Sequence, residues 1–405
     1  MKVVIIGAGV AGLGIGWKLA QAGVSVSILE RASAGSGATT ASAGMIAAAA
    51  ELGAADSPEA AFARRASALW PTFAAQMEAQ SDVAVGYHEC GSLMVALLSA
   101  RHQHESPHSD HRAKPGQPNP HAQGADIAML DPAQTRAMEP MLAENVAGAL
   151  WAPHEATIDT HAVVRALTTA FRRAGGEILP NETAIRFESE NGKMTGVRTP
   201  FATHRADAYV LAAGAWTARL EGLPREAVPP VIPVKGEILV LAPPAGAAMP
   251  EHVVWGNDIY LVPRAGRLLV GATTELAGYD TSRSREAFRW LCRRSSGLMP
   301  VLERWDVAEH WSSLRPASPD GMPIIGRTAV EGLYVASGQY RNGILFAPAV
   351  AEVMSRLILE RAADVPAFDP RRFDGSRVYA AGSVVETAHR APGTDAGVQE
   401  WHAGF

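Results

Sequence analysis

The order of apolar and polar positions divides the chain into elements before any motif is considered. Residues 2–9, KVVIIGAG, contain an unbroken apolar run, the pattern of a strand buried on both faces. LGIGWKLAQAG (13–23) has helical spacing and stops at Gly23, and VSVSILE (24–30) alternates and closes on Glu30, which predicts strand, helix, strand. Residues 57–80 read as a helix with Ser57 as N-cap and Pro58 in its first turn. A second capped helix runs from about Asp159 to the Gly175–Gly176 stop and is followed by a strand. ADAYVLAAGAWT (206–217) is an apolar strand ending in a glycine turn. Between 229 and 310 the texture changes to strands joined by turns, as in PVKGEILVLA and IYLVPRAGRLLVGATTE, and predicts a more antiparallel sheet. Residues 332–348 return to strand, loop and helix, and that helix continues to about Ala362. SSLRPASPDGMPIIGR (312–327) has three prolines and two glycines, so it reads as a loop carrying Arg315 beside a proline. No internal repeat is visible.

Composition narrows the classes. At 405 residues the chain is expected to hold two domains, and 47% apolar with 19% charged residues is globular. A net charge of −5 without a polybasic face makes nucleic acid and membrane surfaces poor partners. The two cysteines, Cys90 and Cys292, lie far apart, which argues for a reducing compartment without disulfides or a zinc site. MKVVIIGAG enters a strand without a signal-peptide core, and the longest bland stretch, ASAGMIAAAA, is too short to span a bilayer, so a cytoplasmic protein is expected. Residues 101–124 are rich in His, Pro, Gly and Gln and read as an exposed insertion, and no metal site is expected from their histidines.

The first chemical signal is GAGVAG, Gly7 to Gly12, between a strand and a helix. Gly7 allows the tight turn, Gly9 admits a pyrophosphate, and Gly12 lets helix and strand pack closely. The helix N-terminus offers N–H groups and a positive dipole to an anion. Glu30 follows Gly12 by 18 residues, placed to accept the ribose hydroxyls of an adenosine. The spacing does not choose between NAD and FAD. Two later glycine turns, VLAAGAW (210–216, with Gly214) and YVASGQYRNG (334–343), point to one extended ligand touched by three distant parts of the chain.

TTASAGMIAAAAE (39–51), PVKGE (233–237), YLVPR (260–264), GRLLVGAT (266–273), LRPASPDGMPIIGR (314–327) and RNGILFAP (341–348) recur in order across nearly the whole chain. With these the sequence resembles the D-amino-acid oxidase and sarcosine oxidase family of flavoproteins, and within it the glycine oxidases of the thiamine-biosynthesis type. The resemblance implies an α/β, two-domain fold. A Rossmann-like FAD-binding domain is expected from residues 1–85, 145–228 and 311–375. A substrate domain with a mainly antiparallel sheet is expected from 86–144 and 229–310, and residues 376–405 form a tail.

The resemblance also implies roles for single residues. Gly7, Gly9 and Gly12 fall at the pyrophosphate, Glu30 at the ribose, and Val10, Ala11 and Arg31 beside them. Thr39, Thr40, Ala43, Gly44 and Met45 run along phosphates and flavin, Gly214 marks a further FAD contact, and the backbone of Ala184 meets the adenine. Gln339, Tyr340, Arg341, Asn342, Gly343, Ile344 and Leu345 face the isoalloxazine. Arg315 binds the substrate carboxylate, with Tyr260 near it and Arg341 beside the flavin. Asp258 and Thr274 stand where the glycine oxidase pattern has histidine and methionine, at positions expected to line the pocket. Leu269 and Leu314 replace the flavin-side lysine and flavin-linked cysteine of sarcosine oxidases, so FAD is expected to be non-covalent. Lys235 reads as structural. The implied chemistry is oxidation of glycine, sarcosine or a small D-amino acid by hydride transfer to flavin N5. The resulting imine hydrolyses to an oxo acid (glyoxylate from glycine) and ammonia, with O2 reduced to hydrogen peroxide in a homo-oligomer, a tetramer by resemblance. The alternatives are an FAD-dependent dehydrogenase serving a quinone or partner protein, an NAD-dependent enzyme, and a non-catalytic FAD-binding protein.

Overall fold

The computed structural model describes residues 1–52, 56–98, 127–224, 227–360 and 365–373. The expected insertion at 101–124 and tail at 376–405 lie outside the described residues.

A six-stranded sheet forms around the N-terminal strand Lys2–Ile6. Its order is Ile324–Arg327, Leu333–Ser337, Ala208–Leu211, Lys2–Ile6, Ser25–Glu30 and Glu177–Pro180. All neighbours pair in parallel except the edge hairpin 324–337. The unbroken apolar run of the first strand has a simple cause: both faces are covered. Val3 and Ile5 meet the helices Val10–Gln21, Pro58–Ser81, Thr160–Arg173 and Gly343–Glu360. Val4 and Ile6 meet Phe187, Met194 and Val197 of a small three-stranded sheet. The expected caps form as well: the Ser57 side chain accepts from the Ala60 amide, and Asp159 accepts from His161 and Ala162.

The second layer is an eight-stranded sheet in the order Asp306–Ala317, Ile232–Ala242, Arg267–Gly271, Ile259–Arg264, Val253–Gly256, Ser92–Leu97, Val146–Ala152 and Ala128–Leu130. It is antiparallel except where 253–256 runs parallel to 92–97. Helix Arg285–Leu298 packs Leu291 and Leu298 onto one face. The opposite face carries Ile238, Val240, Tyr260 and Val262, packed with Ala43 and Cys90.

Two sequence expectations are corrected here. Residues 312–317 are not loop: they end the edge strand Asp306–Ala317, and Arg315 pairs with Val234 across the ladder. Proline fits because the strand is at the edge. The Pro316 carbonyl accepts from the Tyr340 amide, so this position faces away from the neighbouring strand and needs no N–H toward it. The loop proper is shorter, from Ser318 to Pro323. The strand therefore crosses the expected boundary at 310/311, and Val146–Ala152, expected with the dinucleotide-binding segments, is also a strand of the eight-stranded sheet. Among the described residues, no helix is long and apolar enough to cross a membrane, and no group of three or more His, Cys, Asp or Glu could hold a metal ion.

Candidate active site

A cavity of about 540 Å³ lies between the two sheets and is lined by segments from all three distant parts of the chain. Backbone builds one end. Gly7 has φ +106°, and a Cβ there would overlap the carbonyl of Ala212 at the end of the adjacent strand. Gly44 has φ +77°, and its Cβ would overlap the carbonyl of Ile158. Helix Val10–Gln21 starts at Gly9 with no cap from Gly9 itself. The Val10 amide donates instead to Thr39 Oγ1 at 3.0 Å. Glu30 is buried with its carboxylate on the lining, accepting from the amides of Ala8 (2.8 Å) and Ala32 (3.0 Å). Arg31 lies flat over Trp216, 3.5 Å from the ring centroid, and Ala184 and Gly214 complete this end.

Side chains build the other end. The Arg315 Nη1 donates to the backbone carbonyls of Thr273 (3.0 Å) and Lys235 (3.4 Å). Its guanidinium lies against Gly236, where any Cβ would overlap it. Tyr260 points from the adjacent face with its ring over Gly271 and packs edge-to-face on Trp255 at 5.4 Å. Burial pushes the Tyr260 phenol above its ordinary value, against the opposing pull of Arg315 and Arg341, so it stays protonated. Arg341 sits 6.0 Å above the Trp255 ring and pairs with Glu51 at 3.2 Å.

The cavity brings together Gly7, Gly9, Val10, Ala11, Glu30, Arg31, Thr39, Ala43, Gly44, Met45, Ala184, Gly214, Tyr260, Arg315 and the run Gln339 to Leu345. Two expected cofactor residues do not line it. Thr40 turns its hydroxyl to the Gly35 carbonyl, 2.9 Å away. Gly12 packs against Gly7, with no room for a Cβ, and so shapes the turn without touching its contents. Asp258 and Thr274 also fall outside. Asp258, at φ +67°, pairs with Arg294 at 3.1 Å, while it is the carbonyl of neighbouring Thr273 that serves Arg315. Lys235 is buried and paired with Glu237 and Glu275, each at 3.4 Å. Glu237 in turn accepts from the Ser284 amide and contacts His310 at 2.7 Å. Sequence reading missed Glu51, Gly236 and Trp216. Gly236 carries no local signal, because its role comes from Arg315 on the neighbouring strand.

The residues present fit a flavin dinucleotide. The Gln339 Nε2 and Tyr340 hydroxyl are buried on the lining without hydrogen-bond partners. Two helix N-termini, at Val10 and Gly343, open on the same cavity. Among the described residues no cysteine or histidine lines it, which leaves neither of these side chains for a covalent flavin link.

A family model, DAO, FAD dependent oxidoreductase, matches residues 2–357. A bifunctional ThiO/ThiG protein of Synechocystis is 34% identical over 92% of this chain and 54% of its own length. The chain thus spans about half the length of such bifunctional relatives. Glycine oxidase of Geobacillus kaustophilus is 32% identical over 92% of this chain and 97% of its own. The crystal structure of glycine oxidase from that organism superposes with a TM-score of 0.82 at 31% identity, covering 92% of this chain and 99% of that one. The match over nearly the whole chain, on a cavity suited to a flavin dinucleotide, establishes that the chain belongs to the DAO family of FAD-dependent oxidoreductases.

Proposed function

We propose that the protein is an amino-acid oxidase of the glycine oxidase kind, acting on glycine, sarcosine or a small D-amino acid. The observation that carries this reading is Arg315: a guanidinium laid flat on Gly236, anchored through Nη1 to two carbonyls, on the lining of the cavity. Such a fork suits a planar carboxylate. Tyr260, kept protonated by burial, can donate a hydrogen bond to the same carboxylate. FAD, when bound, supplies the hydride acceptor. Gly7, Val10, Ala11, Thr39 and Gly44 would hold its pyrophosphate, Glu30 its ribose, and the residues from Gln339 to Leu345 its ring.

The lining holds no histidine among the described residues, and its one carboxylate at this end, Glu51, is held by Arg341. The substrate amine therefore has to enter neutral, and the residues supply orientation where a base would otherwise act. Oxidation then yields an imine, which hydrolyses to an oxo acid and ammonia. A division into a cofactor unit around the six-stranded sheet and a substrate unit around the eight-stranded sheet belongs to the same reading, with residues 146–152 and 311–317 on the substrate side of it. So do a cytoplasmic location and a homo-oligomeric state.

The test is an anaerobic screen of amines against the yellow, FAD-loaded protein. Sarcosine or glycine should bleach the flavin, and admission of air should restore it with formation of hydrogen peroxide. Bleaching without reoxidation by air points to a dehydrogenase, and no bleaching by any amine defeats the enzymatic reading.

A further inference from the structure

The substrate end of the cavity contains two cations and one anion: Arg315, Arg341 and Glu51. They share Tyr260 as a neighbour, and the charge of each bears on its phenol. Their bonding is unequal. Arg341 is already neutralised, with Nε 3.2 Å from Glu51 Oε2 and Nη2 3.5 Å from Oε1. The two side chains are only 26% and 12% exposed, so little water screens the pair. Arg315 donates to backbone carbonyls and to the neutral Tyr260 hydroxyl, and among the described residues no acidic side chain is paired with it. The end of the cavity therefore offers one uncompensated positive charge.

Glu51 is also held in place. It lies on the short helix Ala48–Leu52, whose Ala49 and Ala50 amides both donate to the buried Glu155 Oε1, at 2.7 and 2.8 Å. The Glu51 amide donates back to the Ala47 carbonyl at 3.0 Å. The backbone under Glu51 is thus pinned by the Glu155 carboxyl group, and its side chain is held by Arg341.

We propose that Glu51 is a charge gate that restricts this cavity to amino acids with a single carboxylate. By occupying Arg341 it removes the second cation that a dicarboxylate needs, and its own charge opposes a second acid group. The proposal rests on the amino-acid oxidase reading only in seating the substrate carboxylate on Arg315. The competing possibility is that the pair merely braces Arg341.

Two matched pairs of substrates, each differing by one carboxylate, separate these: sarcosine against iminodiacetate, and D-alanine against D-aspartate. For the FAD-loaded wild type, kcat/KM should favour the monocarboxylate on the order of 100-fold. In Glu51→Gln that ratio should shrink at least about 10-fold through a gain on the dicarboxylates, and Glu51→Asp should restore it. A brace alone predicts the same loss for both members of each pair, and that result overturns the gate.

The wild type alone gives a second test, independent of how the variants fold. Acetate and malonate can be titrated against the flavin spectrum, and acetate should bind more tightly by about 10-fold or more. Equal binding, or tighter malonate, overturns the proposal. The two readings fail separately. Acetate preferred over malonate with no amine bleaching the flavin defeats the oxidase and leaves the gate. Bleaching by sarcosine with malonate held as tightly as acetate does the reverse.

Discussion

The two ends of the cavity are built from different material. At Gly7, Val10 and Gly44 the wall is backbone: glycines at positive φ, amides, and a helix start with no cap from its own first residue. At Arg315, Tyr260 and Arg341 the wall is side chains, each set by a partner on another strand or segment. A backbone wall fails when a Cβ is added, because the chain itself must move. A side-chain wall fails when a neighbour changes, while the fold stands. Damage at the first end should therefore remove the cofactor and stability together. Damage at the second should change substrate use in a protein that still binds FAD.

Gly7→Val makes the sharpest break. It puts a β-branched residue at φ +106° against the Ala212 carbonyl. The cost should be about 3 kcal/mol or more, and the purified protein should be colourless or insoluble. A yellow, stable Gly7→Val protein would show that the glycine turn is not the cradle.

Arg315→Ala tests the other end. Flavin content and melting temperature should hold, while kcat/KM for sarcosine falls about 1000-fold, equivalent to about 4 kcal/mol, chiefly through KM.

Glu155 lies beneath the helix that carries Glu51. Burial, against hydrogen bonds from Ser92 and the Ala50 and Ala49 amides, raises its carboxyl to about 7. The folded state thus holds a proton that the unfolded chain releases from about 4.5 upward. Stability from this group is full below that value and is lost as pH rises through about 7, by up to about 3 kcal/mol. Glu59, also raised to about 7 by burial, adds a slope of the same sign. Urea melts at pH 5 and pH 8 should show the wild type weaker at pH 8, and Glu155→Gln should remove about half of that difference. An unchanged slope would mean that Glu155 is ionised in the fold.

The smallest effect sharpens the comparison most finely. Gly236→Ala adds a methyl where the Arg315 guanidinium rests. KM for sarcosine should rise about 10-fold with an unaltered flavin spectrum, since one charged contact is displaced and none is lost. A change in FAD retention would mean that Gly236 serves the backbone-built end.

The same contrast explains what could be read from sequence. The backbone end was legible because glycine spacing, helix starts and an acid after the second strand are local signals. Gly7, Gly9, Val10, Glu30 and Gly44 all reached the cavity. Thr40 does not reach it because consecutive threonines at the start of a short helix point different ways: Thr39 accepts from the Val10 amide and Thr40 donates to the Gly35 carbonyl. The side-chain end was legible only through resemblance. Arg315 reaches the cavity from a strand and not from a loop, since prolines read locally do not reveal an edge position. Gly236, Thr273 and Glu51 were missed because cross-strand and cross-segment contacts leave no trace in local spacing. Asp258 and Thr274 were expected on the lining by alignment with a motif, but a positive-φ turn carries Asp258 away to Arg294.

The central claim is that one end holds the cofactor and the other selects the substrate. It is tested most directly by anaerobic titration of wild-type and Arg315→Ala proteins, each loaded with FAD, with sarcosine, following the flavin absorbance. The account predicts equal flavin content, bleaching of the wild type, and a need for about 1000-fold more sarcosine in the variant. Bleaching of both proteins at the same sarcosine concentration, or loss of FAD from the variant, would contradict it.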